Sequence, residues 1–292
     1  SACGCMGVTW TKEGIGPGQS GTITATYKNE DGPMAFDKTL TVYIAGIKRP
    51  VILRLRGVVH EKKKSLSELY GAQRLGDLGL KTREFQAPTL RQGHEVSFDT
   101  DIANLGKKPL TLDFENVSGQ LKVSVSDNPV PAGGKARITF TVKADRSLWG
   151  SNHYYATPVV NGKSTGTALD VKAFTQEDFS SLTAEQRENA PLPMFASSTA
   201  DFGMVAKGAA VKGEFTVENR GKTPLHFFKA DPETPALVLS LPGDVAPSAK
   251  ERISFTLDTS SLPEGECVTM ISFVTNSPMR PVVNVFAAGI IR

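Results

Sequence analysis

Two cysteines and a methionine stand together near the start of the chain: Cys3, Cys5 and Met6. Soft sulfur ligands at that spacing suit Cu(I) or zinc. A closed site needs further ligands, and no His or Cys follows at finger spacing. The plainer reading is a loop whose cysteines are free or joined in a strained local disulfide, so no metal is expected. Ser1-Ala-Cys3 also fits the tail of a lipoprotein signal with Cys3 acylated, although the repeat described below puts Cys3 in the middle of a module. Cys267 falls beside Val268 in a strand pattern and reads as a small buried hydrophobe.

Asp201-Phe-Gly203 matches the metal-binding triplet of kinases as a string. No catalytic loop or nucleotide-cradling glycine run accompanies it, and it reads as the entry to a strand. Gly18-Gln-Ser-Gly21 is one residue short of a nucleophile elbow and precedes a strand pattern instead of a helix. His60, His94, His153 and His226 each lack a local partner for acid–base work. No catalytic residue and no cofactor is therefore expected. The best candidate for ligand binding is Leu148-Trp149-Gly-Ser-Asn-His153-Tyr154-Tyr155, a loop entering a strand. Trp149, His153 and Tyr154 are its candidate contacts, since Trp and Tyr supply rigid amphipathic surface for sugars or proteins. Neighbours on a strand face opposite ways, so one of Tyr154 and Tyr155 should lie in the core.

The elements that position these residues come from a repeat. Ile15-Gly-Pro-Gly-Gln-Ser-Gly-Thr-Ile-Thr-Ala-Thr-Tyr27 recurs 115 residues later as Val130-Pro-Ala-Gly-Gly-Lys-Ala-Arg-Ile-Thr-Phe-Thr-Val142. After another 115 it recurs as Val245-Ala-Pro-Ser-Ala-Lys-Glu-Arg-Ile-Ser-Phe-Thr-Leu257. A fixed period means tandem modules. Gly93, Asn104, Gly106, Pro109 and Leu110 find partners at the same spacing in Gly208, Asn219, Gly221, Pro224 and Leu225. The turns around Asn104 and Asn219 read as Asn and Gly at positive φ with Pro resetting extended geometry. The runs before them, Val96, Phe98, Thr100, Ile102 and Val211, Gly213, Phe215, Val217, alternate with period two. So do Ile138, Phe140 and Val142, which predicts half-buried strands of antiparallel sandwiches.

Composition fits this. The 292 residues are 39% hydrophobic and 22% charged, as in ordinary globular chains. A net charge of +3 is too small to make nucleic acid or an anionic membrane the main partner. No apolar stretch reaches the length of a transmembrane span; 281–291 is too short and broken by Asn284. The chain has no initiator Met and no signal sequence, and is expected to begin downstream of something removed. Ser65-Leu-Ser-Glu68 and the stretch from Thr175-Gln-Glu-Asp178 to Arg187 carry capping-box spacing and predict short helical linkers.

The expected organisation is an incomplete module over 1–60, a linker over 61–74, a module over 75–174, a linker over 175–190 and a module over 191–292. Modules two and three have about 35–40 residues upstream of the point aligned with Ser1, and the first has none. Its first strands were cut off, or another segment supplies them, and the exposed backbone row invites strand pairing.

Ser1-Ala-Cys-Gly-Cys5, followed by Pro17-Gly18 and by Gly57-Val58 after a closing strand, resembles the bacterial DUF1573 family, a domain of unknown function. Asp201-Phe-Gly203 with Gly208 resembles the family's module start, and Asn219-Arg-Gly221 with Pro224-Leu225 its first turn. Modules two and three have Ser118, Gln120, Glu233 and Pro235 where the paired cysteines would stand. The resemblance implies an all-β protein of tandem immunoglobulin-like sandwiches of the major-sperm-protein and ciliary type. It also implies export to the periplasm or the cell surface of a bacterium. The function expected is that of a non-catalytic scaffold engaging an envelope protein or a surface polymer. An envelope chaperone using strand complementation, or a metal- or redox-linked protein using Cys3 and Cys5, stand as alternatives.

Overall fold

The structure, a computed structural model, describes residues 5–29, 32–61 and 63–292. The chain divides into two units, 1–65 and 66–292. In the first, the alternating runs become four strands: β1 (Met6–Trp10), β2 (Ile23–Tyr27), β3 (Ala35–Val42) and β4 (Val51–Val58). They form two antiparallel pairs, with Met6 opposite Tyr27 and Ala35 opposite Val58. The pairs meet where Tyr27 stacks on Phe36, ring centroids 4.3 Å apart. Phe36 lies over Gly57, where a Cβ would come within 2.7 Å of the ring. Among the described residues of this unit, Met6 and Leu40 are the buried hydrophobic side chains.

The second unit begins with α1 (Leu66–Tyr70), β5 (Leu78–Gly79), β6 (Glu84–Gln86), β7 (Leu90–Arg91) and β8 (Glu95–Asn104). It continues with β9 (Leu112–Glu115), β10 (Leu121–Val125), β11 (Lys135–Lys143), β12 (Gly150–Val160), β13 (Lys163–Ser164) and β14 (Leu169–Gln176). After α2 (Ala184–Glu188) come β15 (Pro193–Phe195), β16 (Thr199–Val205), β17 (Ala210–Asn219) and β18 (Phe227–Pro232). The last four are β19 (Leu237–Ser240), β20 (Lys250–Asp258), β21 (Gly265–Thr275) and β22 (Val282–Ile291).

Each module of this unit has two sheets. In one they run β10-β11-β8-β5 and β13-β12-β14-β6; in the other β19-β20-β17-β15 and β18-β21-β22-β16. The inward residues of β11, Ile138, Phe140 and Val142, meet Tyr154 and Ala156 of β12 and Val171 of β14 in one core. Ile253, Phe255 and Leu257 of β20 meet Ile271, Phe273 and Val285 in the other. These are the all-β sandwiches that period-two patterning requires, one face dry and one wet.

The turns differ from expectation in an informative way. Asn104 and Asn219 are almost fully buried, and neither they nor Gly106 and Gly221 have positive φ. Instead the asparagine side chain holds the turn. Asn104 Nδ2 donates to the carbonyls of Lys108 and Val130 at 2.7 and 3.0 Å, and its Oδ1 accepts from Gly106 N at 2.9 Å. Asn219 repeats this with Thr223, Val245 and Gly221. The glycines serve close approach: a Cβ at Gly221 would lie 2.2 Å from the Ala190 carbonyl oxygen. Positive φ is used at the other turn, by Gly18, Gly133 and Ser248 at one repeat position.

The helices also shift. Thr175 and Gln176 remain in strand, paired with Gly150 of β12 and with Leu90 and Arg91 of β7. The capping box belongs to Thr183 and Gln186, which bond each other's backbone N–H at 3.2 and 2.9 Å. Tyr70, the last residue of α1, is buried, and its carbonyl accepts from Leu80 N. Asp201-Phe-Gly203 is a bulge within β16; Gly203 N donates to Asp201 Oδ1 at 2.8 Å.

Candidate binding surfaces

The segment from Trp149 to Tyr155 crosses from loop into β12, and its strand alternation scatters the three candidate contacts. Trp149 stacks on Phe228 of the third module, centroids 3.9 Å apart and planes 3° from parallel. Beside the stack, Ser151 N donates to Asp231 Oδ2 at 2.5 Å, and Lys229 Nζ donates to the Ser151 carbonyl at 3.0 Å. Gly150, with φ +65°, has no room for a side chain, since a Cβ would lie 2.8 Å from Asp231 Oδ2. One face of the indole is thus spent on holding two modules together.

Tyr154 turns into the core, 2% exposed, while Tyr155 is 46% exposed. The aromatic that faces solvent is therefore Tyr155, not Tyr154, because successive strand residues take opposite faces. Burial pushes the Tyr154 phenol up, against a weaker opposing pull from the Thr175 hydroxyl beside it. His153 shares the outer face with Tyr155, its Nδ1 2.9 Å from Asp170 Oδ2. Next to it Lys172 Nζ lies 2.9 Å from Glu84 Oε2, a contact that holds the Glu84 carboxyl below its usual range. Phe228, Lys229 and Asp231 escaped sequence reading. Their signal was the doublet Phe227-Phe228, of which only Phe227 can enter the core.

A hollow of about 500 Å³ opens beside α2, lined by Phe179, Leu182, Gln186, Pro191, Thr223 and Pro278 among others. Asp178 on its rim is lowered to about 2 by the Ser180 hydroxyl, then by His94 and the Ser180 N–H. Cys267 is free and half-buried, and burial raises its thiol. Cys5 is disulfide-bonded and has no thiolate to offer a metal. Cys3 lies outside the described residues.

Residues 1–59 match the model of the family described as a protein of unknown function, DUF1573. No curated protein matches the chain. A crystal structure of a protein of unknown function from Porphyromonas gingivalis covers 74% of this chain with all of its own length. Its TM-score is 0.57 and its identity 16%, a likeness of fold. A PapD-like domain of human CEP192 matches 39% of this chain over 96% of itself, at TM-score 0.30 and 13% identity. Tandem immunoglobulin domains of titin match 72% of this chain over 93% of themselves, at TM-score 0.22 and 11% identity. Among the described residues, no helix is long and apolar enough to cross a membrane.

Proposed function

We propose that the chain is a non-catalytic binding scaffold of the bacterial envelope, in the periplasm or at the cell surface, that holds another envelope protein or a surface polymer. The observation that carries this reading is the junction of the second and third modules. A scaffold must keep its binding loops at fixed separations, and the Trp149–Phe228 stack with the bonds to Asp231 and Lys229 supplies that stiffness. The outer face bearing His153 and Tyr155 presents ring surface at the surface of β12. The envelope setting rests on the match of residues 1–59 to DUF1573 and on the export that this resemblance implies. Strand complementation of a client is a second reading, favoured by the sheet edges of the first unit.

Fractionation of the bacterium of origin, followed by crosslinking in the envelope fraction, tests the reading. The chain is expected outside the cytoplasm, bound to one protein or polymer that a His153→Ala/Tyr155→Ala double variant retains at least tenfold less well. Recovery of the chain in the cytoplasm removes the envelope assignment, and equal retention by the variant removes this face.

A further inference from the structure

Strands β21 and β22 carry apolar side chains on both faces. Ile271, Phe273, Val283, Val285 and Ala287 point inward and belong to the core of the third module. The alternate positions face away from that core. They carry Val268 and Met270 on β21 and Phe286, Ala288 and Ile290 on β22. Register sets these side by side: Met270 opposite Phe286, Val268 opposite Ala288, and Ile290 opposite Met204 of β16. Val268 is 64% exposed, Met204 54% and Ile290 38%; Met270, Phe286 and Ala288 are half-buried. The second module has His153, Tyr155, Lys172 and Asp170 at the sheet positions of Val268, Met270, Ala288 and Phe286. The fold therefore does not require an apolar outer face here.

Near-continuous apolar runs belong to strands that are covered on both sides. One end of this outer face is covered already. Ser272 and Val274 also point away from the core, yet both are buried. Their sheet neighbours Asp231 and Lys229 bond Ser151 of the second module, and β12 packs against β21 there. The cover is a sandwich module of this chain's own repeat, and the open rows from Met270 to Ile290 continue directly from that contact. Around their far end the charges balance, Asp201 and Glu266 against Lys207 and Arg292, all exposed. A rim of both signs sets up no single-sign field to repel an identical surface.

We propose that the outer face of β16, β21 and β22 is the contact of a two-fold dimer, in which a second copy of this chain lays the same face against it. A two-fold contact uses one self-complementary patch twice. The rows Met270–Phe286, Val268–Ala288 and Ile290–Met204 form its apolar centre, stacked sheet on sheet at a spacing of about 10 Å. A contiguous exposed apolar patch rimmed by charged residues is the mark of such an association site. The inference goes beyond the scaffold reading. The His153 and Tyr155 face is a different surface, on the second module, and the dimer presents it twice.

Sedimentation equilibrium of the full chain over a wide dilution series tests this. A monomer–dimer equilibrium is expected. Val268→Asp and Met204→Asp, each at an exposed position outside the core, are expected to raise the dimer dissociation constant at least tenfold and to leave the melting of the monomer unchanged. Hydrogen peroxide gives a second readout. Met204 is expected to oxidise at least fivefold more slowly in the dimer than after dilution to monomer, while Met279, in the turn after β21 and 73% exposed, reacts alike in both. A chain that stays monomeric at every dilution overturns the proposal, whether Met204 reacts freely or is protected throughout, the latter meaning that the chain covers the face itself. A dimer that Val268→Asp leaves intact overturns it too, because another surface then joins the copies. Retention of an envelope partner by the His153 and Tyr155 variant is measured separately, so the scaffold reading and this inference fail independently.

Discussion

At the scale of single residues, Asn104 and Asn219 are structural twins whose amides each tie two turns together. Removing such a side chain leaves buried carbonyls and an N–H without partners, a cost of roughly 2–4 kcal/mol. Asn104→Ala and Asn219→Ala are each expected to lower stability by that amount in urea unfolding, with the loss confined to the module that carries the change. Asp178 makes a prediction of opposite reach, in pH. Its carboxylate is stabilised in the folded chain by Ser180 and His94, so its pKa falls to about 2. A depressed carboxylate favours folding above its unfolded value and loses that contribution as pH falls through the folded one. The Asp178 carboxyl resonance should therefore titrate near pH 2, and its share of stability should fade between about pH 4 and pH 2. An Asp178→Asn variant should show no such share over that window.

At the scale of elements, the chain alternates between strands that found partners and strands that expose an edge. The loop before β12 found one: Trp149 against Phe228 on β18. Aromatic pairs of this kind are coupled by about 1 kcal/mol beyond their burial. A double-mutant cycle with Trp149→Ala and Phe228→Ala should return a coupling of that size, and either variant should broaden the distribution of distances between spin labels on the second and third modules. Additive effects would mean that the stack does not join the modules. Strand periods were legible because each alternation is a local property: Ile138, Phe140 and Val142 face the core as their spacing requires. The helix boundary was not. Thr175 reads as a cap, but its place opposite Gly150 and Leu90 makes it strand, because sheet pairing on both sides outweighs a local capping preference.

At the scale of the whole molecule, the two units spend the same repeat differently. In residues 66–292 Ile138, Phe140 and Val142, and likewise Ile253, Phe255 and Leu257, lie inside a two-sheet core; in residues 1–65 their counterpart Ile23 is 39% exposed. The inward faces of Ile138, Phe140 and Val142 and of Ile253, Phe255 and Leu257 were written in the residues themselves, since period-two alternation is one-dimensional. Which of two adjacent tyrosines reaches solvent, why a buried asparagine replaces a left-handed turn, and where an indole is stacked are matters of contact between segments some 80 or 25 residues apart. Contacts of that range depend on sheets being closed and packed, so the tertiary structure alone decided them.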